Sequence, residues 1–454
     1  MVPESVEPDT LSRARRESLA TVEDTIELSG TFLSWLSPAR VALAGLLVYL
    51  AIATLGPIQP TVDPSLSAIV YVGLCYLTFI AGVAICGVLG GASALPARLR
   101  VRGIEPGGFW LVITVAAIGI ALRLVDRLVL REIPFGDEFA AVREQLQATE
   151  PSLVSAIGAA LYPTSFAALM AYYLLPERRR GAFMAIATYL VFLYPAAEAA
   201  LQGSRSLLLI SFGFVWLTRR LIPGSVGGER RSWLFWGASA LLLVAFILIF
   251  QLRLEAAGTD LVASSQFSGY AFTVPPSPWI RDLETAQNPL VSIVAAAVLH
   301  VTQYYAHSGY ELMYIFDRLP DQPLYGAYNF FHLVKFVSLI TGDTSLVERA
   351  QNVDIRTGVF ATFFVPLFVD FGWAGIIVMA GFGYACTALW QLASRRPGAW
   401  YPLFSYMTIV VFLIPITSFV VAAQGLYIIV ALTMLGFALT LVAERSPGSA
   451  ATSR

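Results

Sequence analysis

The sequence has little charge for its length. Asp, Glu, Lys and Arg make up 13% of its 454 residues, whereas 57% are hydrophobic and the mean hydropathy is +0.71. Soluble domains carry about 25% charged residues, so this composition excludes a soluble protein. The net charge of -1 gives no indication of a nucleic-acid partner, and none is expected.

Cysteines and common catalytic motifs are also scarce. The three cysteines, Cys75, Cys86 and Cys386, lie in apolar runs without a CxxC spacing, which argues against a disulfide framework or a thiolate metal site. The absence of a glycine-rich phosphate loop, a G-x-S-x-G turn and an H-E-x-x-H helix argues against an ATPase, a serine hydrolase and a zinc protease. The few closely spaced acids are Asp137, Glu138, Asp282 and Glu284. No metal or cofactor is expected.

What the chain has in abundance is long apolar runs. A helix needs about 20 apolar residues to cross a bilayer. Suitable runs lie near 41–58, 66–90, 108–124, 153–175, 182–201, 206–222, 233–251, 371–391, 401–421 and 426–443. The sequence therefore predicts an all-α, polytopic helical bundle with about ten transmembrane helices.

The basic residues predict the orientation of this bundle. Arginines occur in every second connection, at 98–102, 178–180, 219–231 and 395–396, and short loops rich in Lys and Arg stay in the cytoplasm. Both termini are then cytoplasmic, and the membrane is the cytoplasmic (inner) one. The polar first segment lacks the features of a signal peptide and is expected to be a loosely ordered tail.

The predicted organisation has five parts. They are a cytoplasmic tail (1–37), spans one to seven (38–251), an extracytoplasmic loop (252–360), spans eight to ten (361–443) and a second tail (444–454). A loop this long in a compact protein is usually functional. Within it, 290–305 is apolar but short and predicts an interfacial or re-entrant helix, and the stretch from Gly358 to Phe371 is expected to bend into the membrane.

Ionisable residues concentrate at the outer ends of the predicted spans. They are Arg123, Arg127, Glu198, Arg205 and Arg253. Ionisable groups at membrane depth normally face a polar cavity or a partner. Arginine also suits a diphosphate, because its planar fork stays charged and donates two hydrogen bonds. A lipid diphosphate is thus the expected ligand, although rim salt bridges or contacts with phospholipid head groups remain an equal alternative.

The three histidines all fall in the outer loop, at His300, His307 and His332. His307 is the first candidate for a catalytic base because Tyr304 and Tyr310 flank it, a setting suited to sugar binding. A packed polar histidine within an interfacial aromatic belt is the competing interpretation.

Two short segments stand out in the predicted outer part of the chain. The first is QGSRS, residues 202–206, which opens into Leu207. The second is TFFVPLFVDFGWAG at 362–375, an aromatic run ending in Asp-Phe-Gly before a late span, and Asn352 precedes it. Both segments resemble those of the Wzy-type O-antigen and oligosaccharide repeat-unit polymerases. The stretch YYAHSGYELMYIFD at 304–317 resembles the outer loop of the same family more weakly. Arg356, between Asn352 and the aromatic run, does not match the family pattern.

The resemblance implies a metal-independent membrane glycosyltransferase. Such an enzyme moves a growing glycan from an undecaprenyl diphosphate carrier onto a new lipid-linked repeat unit, outside the cytoplasmic membrane. The expected partners are this lipid-linked oligosaccharide and membrane lipids, with a chain-length regulator and a flippase as further candidates. Arg205, supported by Arg253 and Arg356, is expected to bind the diphosphate. His307 ranks first as the base, before Asp370 and Glu198, and Asp370 has a structural role as its alternative.

Two rival functions remain open. An O-antigen ligase would use the same donor and topology but a different acceptor. A lipid-linked oligosaccharide flippase or transporter should show paired repeats and charges near the middle of the membrane, whereas the charges here gather at the outer rim.

Overall fold

The structure is a computed structural model that describes residues 25–90, 98–132, 152–201, 206–222, 236–237, 239–241, 268–319, 322–353, 356, 359–421 and 424–445. The described residues are overwhelmingly helical, and eight helices are long and apolar enough to cross a membrane. The predicted class, an all-α polytopic membrane protein, is confirmed. A two-stranded β ribbon is the only sheet among the described residues.

The elements follow one another in a simple order. They are β1 (Thr25–Ser29), α1 (Gly30–Trp35), α2 (Pro38–Leu55), α3 (Leu66–Leu89), β2 (Arg98–Arg102), α4 (Pro106–Val125), α5 (Leu153–Leu161), α6 (Ser165–Tyr173), α7 (Ala182–Leu201), α8 (Ser206–Leu221), α9 (Pro278–Glu284), α10 (Pro289–Ile315), α11 (Phe331–Thr341), α12 (Ser345–Gln351), α13 (Phe364–Phe371), α14 (Gly375–Arg395), α15 (Pro397–Phe412) and α16 (Gly425–Arg445). A π-helical turn, Asp126–Leu130, continues α4.

Nine of the ten predicted spans coincide with helices of this set. The seventh, 233–251, lies outside the described residues except at 236–237 and 239–241. The largest difference between predicted and observed bounds concerns the span predicted at 401–421. The helix observed there, α15, begins at Pro397 and ends at Phe412. Because α8 and α15 have only 16 residues each, the count of ten stays a prediction.

The described parts of the arginine-rich connections, at 98–102, 178–180, 219–222 and 395–396, lie at one end of the bundle, called the basic end here; the other is the distal end. At the basic end β1 pairs with β2 in antiparallel register, Ser29 opposite Arg98. The Ile104 N–H donates to the Leu174 carbonyl at 2.8 Å, and the Trp390 indole donates to the Leu33 carbonyl at 3.0 Å. Residues 25–35, expected to be loosely ordered, therefore form a strand and a helix with tertiary contacts.

Glycines let neighbouring helices approach each other closely, as is common in membranes. A Cβ added at Gly82 of α3 would lie 1.9 Å from the Ala380 carbonyl oxygen of α14, and one at Gly383 would lie 2.2 Å from that of Phe79. The two backbones are thus in direct contact near the middle of both helices.

Helix α10 has 27 residues, more than the apolar run at 290–305 predicted. Its length and composition suffice to cross a membrane, but both of its halves touch the distal end. The Thr302 side chain packs directly against Gly56 at the end of α2, in the space that a Cβ on this glycine would fill. Asp317, just beyond its C-terminus, accepts a hydrogen bond of 2.8 Å from Ser67 at the start of α3. The interfacial helix stays a prediction, because the same helix also qualifies as a span.

The aromatic stretch expected to bend into the membrane forms α13, which is largely buried. It ends at Gly372, whose φ of +53° favours glycine. A 3-10 turn then leads into α14, so the residues 362–375 place a short packed helix at the distal end just before a long span.

Candidate functional site

Arg123, Arg127 and Glu198 form a buried ion cluster at the distal end. The two arginines lie one turn apart on α4 and its π-helical extension, so both face the same neighbour. Glu198, on α7, is 1% exposed, and its Oε1 accepts hydrogen bonds from Arg123 and, at 2.7 Å, from Arg127. Two guanidinium groups therefore share one buried carboxylate, an arrangement that depends on the geometry of both ion pairs.

A second ion pair extends this cluster toward the membrane surface. Arg131 contacts Asp126 at 3.0 Å, and Ser152 donates a hydrogen bond of 2.6 Å to the same carboxylate. Ser152 also caps the N-terminus of α5 by accepting the Ser155 N–H. The start of α5 is therefore tied to the end of α4, which fixes the backbone that carries the arginines.

The ion cluster connects to a cavity of about 240 Å³ between α11, α12 and α16. The Arg123 guanidinium stacks 5.3 Å above the Tyr162 ring, and the Tyr162 hydroxyl donates to Gln424 Oε1 at 2.7 Å. Gln424 lines the cavity, and its φ of +61° is rarely adopted by residues other than glycine. Such strain is often retained where a side chain must point in one direction.

His307 occupies a second site at the distal end, on α10. Its side chain is fully buried, and Nδ1 lies 3.0 Å from the carbonyl oxygens of Gln303 and Tyr304. Because carbonyl oxygens only accept, Nδ1 carries the proton and Nε2 has the lone pair. Nε2 has no hydrogen-bond partner among the described residues. A buried acceptor without a partner is rare and calls for a functional explanation.

One turn further along α10, Glu311 binds Arg356. The carboxylate is fully buried and accepts two hydrogen bonds, 2.8 Å from Nε and 2.5 Å from Nη2. Arg356 Nη2 also donates to the Gly269 carbonyl at 3.2 Å. The bond to Glu311 raises the pKa of Arg356, so the guanidinium keeps its charge beside His307.

Aromatic rings enclose the imidazole of His307. The centroids of Tyr270 and Phe360 lie 4.1 and 4.2 Å from that of the imidazole. Tyr304 packs against Phe360 at 4.8 Å. Tyr310 is half-buried and packs against the apolar cluster between α2, α9 and α10, and its role in sugar binding stays a prediction.

Asp370 holds a loop in place. Its fully buried carboxylate accepts the backbone N–H groups of Tyr328 and Asn329, each at 2.8 Å, and the Asn329 side-chain amide at 2.5 Å. The Tyr325 N–H donates to the Asp370 carbonyl at 2.8 Å. These contacts fit the structural alternative, in which Asp370 braces the turn before α11 and orients Asn329 toward the cavity of 240 Å³.

The predicted site residues thus fall into three groups. Glu198 meets Arg123 and Arg127, His307 meets Tyr304 and lies beside Arg356, and Asp370, on α13, meets neither group. Arg205 and Arg253 lie outside the described residues. Sequence reasoning missed the contributions of Glu311, Tyr162 and Gln424. Only Glu311 had a signal, an acid one helical turn after His307 on the same face.

No group of three His, Cys, Asp or Glu side chains in the described part of the chain is arranged to bind a metal ion. Comparison of the chain with protein-family models, curated proteins and solved structures finds no significant match. The function is therefore argued from the site itself.

Proposed function

We propose that this chain is an integral-membrane glycosyltransferase that polymerises undecaprenyl-diphosphate-linked oligosaccharide repeat units at the outer face of the cytoplasmic membrane. The observation that supports it best is the buried His307, whose Nε2 has no hydrogen-bond partner in the described part of the chain and which lies beside Arg356 at the distal end. The short segments that resemble repeat-unit polymerases, 304–317 and 362–375, build this same end.

The proposed reaction needs a base and a countercharge for the leaving group. His307 Nε2 takes the proton of an acceptor hydroxyl, and the hydroxyl oxygen forms a bond to the anomeric carbon of the donor sugar. The bond from that carbon to the diphosphate breaks, and the electron pair leaves with the lipid diphosphate. Arginines stabilise the charge that develops there. Arg356, which lies beside His307, is the proposed contributor among the described residues, and Arg205, Arg253, Arg123 and Arg127 remain predicted members of the site.

The energy comes from the sugar-diphosphate bond, because nucleotide sugars are absent outside the cell. The enzyme then contributes position and charge rather than an activated cofactor. In this scheme the buried Glu198 is the countercharge that holds the side chains of Arg123 and Arg127 in place until the diphosphate binds.

The test is complementation of a deletion strain, with surface polysaccharide analysed on a gel. Deletion should replace the ladder of polymer by single repeat units, and His307→Asn should do the same, because loss of a general base costs about 10²- to 10⁴-fold in rate. His300→Asn, two turns earlier on α10, is the matched control and should restore the ladder.

Three outcomes would contradict the proposal. A normal polymer ladder with His307→Asn would exclude His307 as the base. Intact polymer that is not attached to its final acceptor in the deletion strain indicates a ligase. Lipid-linked units that accumulate in the cytoplasm indicate a flippase.

A further inference from the structure

A second opening at the distal end, distinct from the cavity beside Gln424, is a groove of about 790 Å³. It lies between the connection from α2 to α3, the 3-10 turn Gly269–Phe272 and the C-terminal end of α10. Its volume is in the range of sites that bind small organic ligands.

Hydrogen bonds between the three segments fix the shape of the groove. Thr61 donates through its hydroxyl to the Phe272 carbonyl at 2.7 Å and through its N–H to the Thr273 carbonyl at 3.2 Å. On the other side, the Ser67 hydroxyl donates to Asp317 Oδ1 at 2.8 Å. The walls are therefore formed before any ligand arrives, which lowers the entropy cost of binding.

The base of the groove is aromatic. The rings of Phe272 and Tyr314 pack edge to face, with their centroids 5.2 Å apart. Phe272 is 51% exposed although the Arg356 guanidinium lies 4.2 Å from its centroid. An aromatic face carries negative potential, and the C–H groups on the face of a sugar ring carry the opposite partial charge.

The polar lining selects the kind of ligand. Asp63, Asp317 and Arg318 are exposed in the groove, and the Arg318 guanidinium is held 4.2 Å above the Tyr314 ring. Two carboxylates against one guanidinium disfavour a diphosphate. Carboxylates accept, and guanidinium groups donate, two hydrogen bonds at once, which matches the neighbouring hydroxyls of a sugar.

We propose that this groove binds neutral sugar residues of the acceptor glycan. The inference rests on the proposed function, since it supplies the acceptor that the His307 site requires. Arg356 connects the two sites, because it binds Glu311 next to His307 and stacks on Phe272 in the groove. A glycan seated on Phe272 would extend toward the base.

The experiment measures binding of free sugar to the purified full-length chain in nanodiscs. The probe is the neutral oligosaccharide fraction released by partial acid hydrolysis from the surface polysaccharide of the strain that carries the chain, which contains no diphosphate. Saturation-transfer NMR follows a titration. Phe272→Ala and Asp317→Asn should each weaken binding by about tenfold or more, the effect of one lost contact of this kind.

Matched substitutions outside the groove are the controls. Phe183→Ala removes a phenylalanine that is 71% exposed on α7, and Asp282→Asn neutralises an exposed acid on α9. Both should bind the oligosaccharides within twofold of the unaltered chain. Equal binding by Phe272→Ala and the unaltered chain, or no binding by either, overturns the proposal.

Two other ligands are separate outcomes. If Ca²⁺ binds and Asp317→Asn abolishes it while sugar does not bind, the groove is a cation site. If phosphatidylethanolamine vesicles displace the oligosaccharide completely, it is a head-group site. Either result rejects the glycan. A deletion strain that keeps its polymer ladder rejects the proposed function alone, because the binding measurement does not depend on polymerisation.

Discussion

Replacing Glu198 by glutamine should destabilise the protein strongly. The substitution keeps the shape of the side chain but removes the negative charge that is bonded to both Arg123 and Arg127, which are 8% and 9% exposed. Breaking a buried ion pair from one side costs about 3–5 kcal/mol, because the remaining charges stay buried without compensation. A loss in the free energy of unfolding of this size is expected.

The control uses an ion pair at the basic end of the bundle. Arg396 and Glu444 lie 3.1 Å apart, but their side chains are 53% and 56% exposed. Exposed pairs contribute about 0–1 kcal/mol because water screens them, so Glu444→Gln should change stability little. Both variants are compared with the unaltered chain by chemical unfolding in mixed micelles.

A double substitution tests the explanation itself. If uncompensated charge is the cause, adding Arg127→Gln to Glu198→Gln removes one buried cation and should recover part of the lost stability, a positive coupling in a double-mutant cycle. The reasoning is refuted if Glu198→Gln costs no more than Glu444→Gln, or if the two losses simply add.

Three further predictions follow from the packing and the loops. Asp370→Asn should speed proteolysis of the turn at 325–330, since a neutral amide cannot accept all three hydrogen bonds; unchanged proteolysis would speak for a role in catalysis instead. Gly82→Leu should prevent folding, measured as monodisperse yield, whereas Gly87→Leu on the same helix should not, because open space surrounds Gly87. Hydrogen bonds from Ser345 lower the pKa of Asp343 below 3.8. Their stabilisation exists above the unfolded pKa and is lost as the pH falls through the folded one. The protection of the α12 amide hydrogens, relative to their intrinsic exchange rates, should therefore fall at low pH, and Asp343→Asn should show no such fall.

The spans could be predicted from the sequence because the bilayer imposes their length and composition on each helix separately. Pairings between distant segments could not. The ribbon joins Thr25–Ser29 to Arg98–Arg102, about seventy residues further along the chain. Each stretch alternates polar and apolar residues as a strand does, but nothing in either one identifies the other as its partner.

The candidate site, too, could be predicted from the sequence only in part. The rim position of Arg123, Arg127 and Glu198 was visible from the edges of their apolar runs, but their mutual contact depends on the adjacency of α4 and α7, which composition does not encode. Asp370 illustrates the opposite difficulty, because its hydrogen-bond partners lie more than forty residues earlier in the chain. An acid beside an aromatic motif predicts catalysis and bracing equally well until those partners are known.

The close contact of α3 and α14 at their glycines couples two chemically separate sites, the groove at Asp317 and the segment that carries Asp370. Helix α3 starts at the serines that hold Asp317 in the groove, and α14 starts directly after the short helix and turn that carry Asp370. Since their backbones touch at Gly82 and Gly383, neither helix can tilt alone. A bulky residue introduced deep in the bilayer would therefore disturb sugar recognition and loop geometry together, far from any polar group.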